Sequence, residues 1–273
     1  MNKINEKFVF NHNYHSHCVL CHHATGTVSD YCDEAFRLGF KEWGVSDHGP
    51  LCASWKSRMT TEEFLTKYLP EIRLNQEKYQ GKMKIYASLE IEYYPEYDLW
   101  YKDYLNRYHL DYLILGQHAI MVDGNLVDAF KGFEIKYAEE YKNEVIAGMR
   151  SGYFKILAHP DLFMLSLTRN GATWTDELER ISREIIEAAI ETGVYLEVNI
   201  NGARRPLIKN EKGEDTWIYP YLNFWRIAST YKDAKFILGS DSHKVEYLTD
   251  GKDQEVIDFC NKLNIKLEEK IEF

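Results

Sequence analysis

Short β-rich stretches that end in polar residues alternate along this chain with amphipathic stretches of about 10 to 20 residues whose apolar positions recur every three or four. The strand-like segments are Phe8–His15, Glu42–Ser46, Met83–Ile91, Tyr112–Gly116, Phe154–Ala158, Val194–Val198 and Lys235–Gly239. The helical ones are Ser29–Leu38, Thr60–Gln80, Glu96–Tyr108, Ala138–Arg150, Thr175–Thr192, Tyr219–Tyr231 and Asp253–Leu263. Thr60 with Glu63, and Thr175 before Asp176 and Glu177, are helix start signals. Strands joined through helices must run parallel, because a parallel pair needs a crossover connection. Seven such units closing on themselves predict an α/β barrel one unit smaller than the common eight-stranded one. No Pro-, Gly- or Ser-rich linker and no fixed-period repeat interrupts the pattern, so residues 1–273 are expected to form a single domain.

Charge and cysteine content narrow the partners. A net charge of -10, with Arg204 and Arg205 the adjacent basic residues of interest, repels polyphosphate backbones, so nucleic acid is not an expected ligand. Apolar runs such as Tyr112–Leu115 fall far short of the ~20 residues a bilayer span needs, and the mean hydropathy is -0.46, so no membrane association is expected. The N-terminus lacks the apolar stretch of a secretory signal, and five cysteines, an odd number, fit a reduced cytoplasmic setting. Cys18 and Cys21 have the spacing of half a structural zinc site, but no second pair follows. A homo-oligomer is left open.

The ten histidines are not scattered. A lone histidine is ordinarily a surface or core residue, but here the positions coincide with strand ends. His15 and His17 close the first strand, His48 the second, Glu90 or Glu92 the third; His118 follows the fourth, His159 the fifth, and Asp241 with His243 the seventh. In a parallel barrel all strand C-termini lie on one face, so these residues converge although they are spread over most of the chain. His15 and His17 are two apart, as are Asp241 and His243, which in extended backbone puts each pair on one side. His12 has the opposite parity and His109 precedes its strand, so both are read as ordinary. Imidazoles and carboxylates without thiolate suit Zn, Mn or Fe, and so many ligands exceed the needs of one ion. Two to three divalent transition metal ions are expected.

The motifs H-S-H at His15–His17, C-H-H-A at Cys21–Ala24, S-D-H-G at Ser46–Gly49, S-L-E at Ser88–Glu90, G-Q-H at Gly116–His118, A-H-P-D at Ala158–Asp161 and G-S-D-S-H at Gly239–His243 resemble, in order and spacing, the polymerase and histidinol phosphatase (PHP) superfamily. The resemblance implies a distorted (β/α)7 barrel with a trinuclear metal centre. Carried over motif by motif, it assigns His15, His17, Glu90 and Asp241 to one ion, Glu90, His118 and His159 to a second, and His23, His48 and His243 to a third. At the adjacent pair His22 and His23, the wider superfamily pattern selects the first, and the C-x-H of the histidinol-phosphate phosphatase branch selects the second, which is the expectation adopted. The match of S-L-E to the family's G-L-E favours Glu90 over Glu92 as ligand.

The stretch Leu196–Pro206, L-E-V-N-I-N-G-A-R-R-P, with Y-P-Y at Tyr219–Tyr221, resembles a segment of that same branch. An arginine on a loop beside a metal cluster offers a planar fork that fits phosphate oxygens. Arg204 is the expected phosphate clamp, Arg169 a second by resemblance, and Asp161 or a metal-bound water the proton donor to the leaving alkoxide. The implied activity is hydrolysis of a small phosphomonoester, L-histidinol phosphate, by attack of a metal-bridging hydroxide. A nucleotide, a sugar phosphate and phosphotyrosine are the competing substrates, and a metal-binding domain without turnover is the competing role.

Overall fold

The computed structural model describes residues 4–51, 57–209 and 213–273. Seven strands form one sheet: β1 (His12–Asn13), β2 (Glu42–Val45), β3 (Lys84–Ile91), β4 (Tyr112–Leu115), β5 (Phe154–Leu157), β6 (Tyr195–Asn199) and β7 (Phe236–Gly239). Each pairs in parallel with the next in chain order. The last meets the first through a parallel bridge between Ser16 and Ser242, with Asp241 N donating to His15 O and His17 N to Ser242 O, both at 3.0 Å. The sheet is therefore a nearly closed seven-stranded β/α barrel, as expected.

The period of two along each strand sorts its side chains. On β3, Ile85, Ala87, Leu89 and Ile91 join the large core between barrel and helices, while Tyr86 faces the interior. The same parity carries Ser88 and Glu90 inward. Tyr14, Tyr86, Tyr112, Ile114, Ile156, Tyr195, Ile237 and Ile271 fill the lower interior as one apolar cluster. The polar interior positions are left to the strand C-termini.

The helices follow local rules. Thr27 and Asp30 form a capping box before Val28–Leu38, which ends at Gly39 with φ 86°, a conformation open to glycine. Thr60 and Glu63 form another, and Thr175 caps Asp176–Thr192. After Thr61–Glu63 the backbone winds as a π-helix over Phe64–Tyr68 before Leu69–Lys78. Both Phe64 and Tyr68 are buried there, and the Tyr68 hydroxyl accepts from Asp47 N at 2.9 Å. No described helix is long and apolar enough to cross a membrane.

Three expectations need correction. The first strand is only two residues long: beyond Asn13 the backbone pairing becomes isolated bonds, such as Ser46 N to Ser16 O at 3.1 Å, with side-chain bonds set between them. Ser16 N donates to Ser46 Oγ, Ser16 Oγ to Gly44 O, and Ser240 N to Asn13 Oδ1. The expected helix Tyr219–Tyr231 shortens to Leu222–Ala228, since Tyr219 and Pro220 belong to a loop that enters the barrel mouth. A hairpin of Ala119–Val122 and Asn125–Asp128, which alternation did not reveal, rises after β4.

Candidate metal centre

The strand C-termini meet at a cavity of about 440 Å³ lined by residues from nearly every βα loop, including His23, His48, Glu90, His118, His159, Asp241 and His243. Glu90 stands at its centre, 1% exposed. Its Oε1 lies 2.9 Å from His159 Nε2 and 3.3 Å from His118 Nε2. Oε2 lies 3.0 Å from His48 Nδ1 and 3.4 Å from both His15 Nε2 and His17 Nε2. A Cβ at residue 116 would collide with Glu90 Oε1, so Gly116 makes room for the carboxylate. Asp241 Oδ1 sits 3.0 Å from His17 Nε2 and 3.8 Å from His15 Nε2. His23 Nε2 and His243 Nε2 approach to 3.1 Å at the rim.

The outward nitrogens of most rings are already held. His15 Nδ1 meets Glu197 Oε1 at 2.7 Å, His17 Nδ1 meets Asp47 Oδ1 at 3.0 Å, and His118 Nδ1 meets Glu92 Oε1 at 2.7 Å. His23 Nδ1 faces Cys21 O, and His243 Nδ1 faces Asp241 O. Such partners fix the ring and direct its other nitrogen inward, as around metal-ligating histidines. His15 and His17 bring Nε2 atoms to 3.1 Å of one another, which suits two lone pairs sharing a cation. His48 Nδ1 and Glu90 Oε2 are buried and lack an aligned hydrogen-bond partner, although they are close. Burial without a partner is costly. Cations held by this cluster would satisfy both, so the donor set fits divalent transition ions.

Backbone and electrostatics agree with this arrangement. His159 and Asp241 adopt φ of 31° and 43°, in the left-handed region that non-glycine residues seldom enter outside sites that demand it. Burial disfavours charge on His118, but Glu90 and Glu92 raise its pKa to about 9. Burial, with His17, pushes His243 down to about 3.

The nine expected ligands, His15, His17, His23, His48, Glu90, His118, His159, Asp241 and His243, are thus brought together. His22 instead projects outward, its Nε2 3.6 Å from Glu63 Oε2, and His109 is exposed. Glu92 is engaged by Arg58 at 2.5 Å and by His118. Cys18 donates to Asp47 Oδ2 and Cys21 to Cys18 O, so both thiols support the loop. Cys52 lies outside the described residues.

The expected phosphate and proton-transfer groups are placed differently. Arg204 is turned away: its guanidinium donates to Asp250 at 2.6 Å, Ser240 O at 3.1 Å and Tyr247 O at 2.9 Å. Arg205 lines the cavity instead, its Nε donating to Tyr219 Oη at 2.7 Å. The reason is local: Arg204 ends the 3-10 turn Asn201–Arg204 and Arg205 is extended, so adjacent side chains diverge. Arg169 ends the helix Met164–Arg169 on the exposed surface and does not line the cavity. Asp161 is buried beneath the mouth, where Oδ2 accepts from Tyr221 N and from Trp225 Nε1 at 3.0 Å, and burial pushes its carboxyl up to about 6. It braces the Tyr219 loop and does not line the cavity.

Residues that sequence reasoning passed over include Arg58 and Lys244, which line the cavity, and the supporting set Glu197, Asn199, Asn201 and Asp47. Asn199 Nδ2 bridges Glu197 Oε2 and Asp241 Oδ2 at 2.7 and 3.0 Å, so the L-E-V-N segment orients metal-facing groups.

Two relatives and one solved structure are similar to this chain over most of its length. A probable histidinol-phosphatase of Deinococcus radiodurans is 26% identical over 246 residues, 84% of this chain and 85% of that protein. The histidinol-phosphatase of Bacillus subtilis is 24% identical over 255 residues, 84% of this chain and 92% of that one. The fold is shared with the histidinol phosphate phosphatase of Lactococcus lactis, solved with Zn, L-histidinol and phosphate: TM-score 0.62, 18% identity, 92% of this chain and 93% of that one. The family model described as PHP domain matches residues 13–201, most of the barrel and seven of the nine clustered imidazole and carboxylate residues, and the chain belongs to the PHP-domain family.

Proposed function

We propose that this protein is a metal-dependent phosphomonoesterase that converts L-histidinol phosphate to L-histidinol and phosphate. The observation that carries this reading is the convergence of nine imidazole and carboxylate ligands with three cationic side chains, Arg58, Arg205 and Lys244, around one cavity. The relatives named histidinol-phosphatase, and the Lactococcus lactis structure with its product pair, support the choice of substrate.

His15, His17, Glu90 and Asp241 would hold one ion, Glu90, His118 and His159 a second, and His23, His48 and His243 a third. Bound divalent ions would supply Lewis acidity, lowering the charge on phosphate and making water nucleophilic at neutral pH. The chain's own contribution is positioning. Arg205 presents its guanidinium to the cavity from between the rings of Phe130 and Tyr219, each 5.3 Å from its centre, where it can take two phosphate oxygens as charge redistributes. Arg58, 6% exposed and held by Glu92, adds a second fixed cation. Carboxylates behind His15, His17 and His118, and backbone carbonyls behind His23 and His243, keep these Nδ1 atoms in place, so little reorganisation of those rings is needed during reaction.

A panel of L-histidinol phosphate, phosphotyrosine, a nucleoside monophosphate and a sugar phosphate, assayed with metal-analysed protein, tests the assignment. Histidinol phosphate is expected to lead by roughly 100-fold in kcat/KM, with two to three metal equivalents bound. Preference for another ester overturns the substrate, and one equivalent or fewer after reconstitution with Zn, Mn or Fe overturns the metal centre. The rim assignment has its own check: His23→Ala should lose metal and most of kcat, while His22→Ala should keep both within about threefold. The reverse order would move the ligand to His22.

A further inference from the structure

We propose that Asp128 selects phosphomonoesters that carry an ammonium group, by pairing with that group at the mouth of the cavity. The proposal rests on the phosphatase reading for the other end of the substrate and adds what the site requires of the leaving alcohol.

Among the described residues three carboxylates line the cavity, Glu90, Asp128 and Asp241. Glu90 and Asp241 are packed among imidazoles, and Asp128 stands apart from them on the hairpin that rises after β4. Its Oδ1 accepts from Phe130 N at 2.7 Å, a turn that sets the direction of the chain beyond the hairpin. The Phe130 ring then lies against His118, with centroids 5.8 Å apart and planes 12° from parallel, and under the Arg205 guanidinium at 5.3 Å. Asp128 is therefore tied, two residues away, to a ring that touches both an expected ligand and the phosphate-facing arginine.

A carboxylate at this position works against the rest of the cavity. Arg58, Arg205 and Lys244 are arranged for an anion, and Asp128 repels the same anion. The arrangement is favourable when the substrate brings its own cation beside its phosphate. An alcohol with an ammonium on the carbon next to the ester carbon does so, and each end then meets an opposite charge. A nucleotide or sugar phosphate carries no cation there and meets only the repulsion, which is how a site rejects near neighbours of its substrate.

The test uses the full, metal-loaded chain and two substrate pairs that differ in the amine: L-histidinol phosphate against its desamino analogue, and 2-aminoethyl phosphate against ethyl phosphate. The wild type should favour the amine in each pair. In Asp128→Asn the amine-to-desamino ratio of kcat/KM should fall by about tenfold or more, mainly through KM, and Asp128→Glu should restore part of it. Asparagine keeps the Oδ1 that caps the Phe130 amide, so the hairpin is preserved; equal metal content in the variants verifies this. Absence of an amine preference in the wild type, or a ratio unchanged in Asp128→Asn, overturns the proposal. If histidinol phosphate is not hydrolysed but the 2-aminoethyl ratio behaves as described, the histidinol assignment fails and the role of Asp128 stands.

Discussion

Glu90→Gln should lower kcat by about 1,000-fold or more, roughly 4 kcal/mol of transition-state stabilisation, and should reduce bound metal by at least one equivalent. Glutamine fills the same volume against Gly116, so the effect is one of charge and ligand type. Five imidazoles face this single carboxylate at 2.9 to 3.4 Å. Removing its charge takes the shared ligand from two proposed ions and leaves the nitrogens around it without the anion that holds them together. Activity is to be measured alongside metal content. Full metal occupancy with kcat within tenfold of wild type would mean that Glu90 is structural and that the ions, if bound, sit elsewhere.

The adjacent arginines should separate function from stability. Arg205→Ala is expected to lower kcat/KM by roughly 100-fold, about 2.7 kcal/mol, with little change in Tm, because its guanidinium reaches the cavity and its main fixed partner is the Tyr219 hydroxyl. Lysine should recover only part of this, since an ammonium keeps the charge without the fork. Arg204→Ala should show the opposite profile. Its side chain, 8% exposed, ties Asp250, Ser240 O and Tyr247 O together behind β7. Loss of that network should cost about 2 to 3 kcal/mol, or a fall of roughly 4 to 10 °C in Tm, with kcat/KM changed far less than in Arg205→Ala. Thermal unfolding and steady-state kinetics on both variants distinguish the two roles. A 100-fold kinetic loss confined to Arg204→Ala would restore the sequence-based expectation and remove Arg205 from the phosphate site.

Why the ligands could be read from the sequence and the arginines could not is a matter of how far each position depends on regular backbone. A histidine at the end of a parallel strand has its direction set by the period of two and its location set by the common face of the barrel. Glu90 points inward because Ile85, Ala87 and Leu89 take the outer positions on the same strand. Arg204 and Arg205 lie where a 3-10 turn becomes extended chain, and no periodicity states which of two neighbours turns inward. The placement of Asp161 was hidden for a similar reason: its motif position is next to a strand end, but the Tyr221 amide and the Trp225 ring, 60 and 64 residues away, hold its carboxylate. The Ala119–Asp128 hairpin escaped because its strands are only four residues each, the first wholly apolar and the second mixed, too short a span to give a clear period.

The sequence by itself determined the number and order of barrel strands, the helix starts at Thr60 and Thr175, and the convergence of imidazoles and carboxylates at the strand ends, because these follow from short-range periodicity, capping and the chirality of parallel β/α units. Only the tertiary structure decided which of two arginines faces the cavity and which carboxylates stand behind the histidines. It also decided how the barrel closes, by backbone bonds from His15 and His17 to the segment after β7 and the Asn13 side chain that accepts from Ser240 N. Those features depend on contacts between residues far apart in the chain, such as Glu197 with His15 across 182 positions, whose geometry is fixed only when the whole barrel has formed.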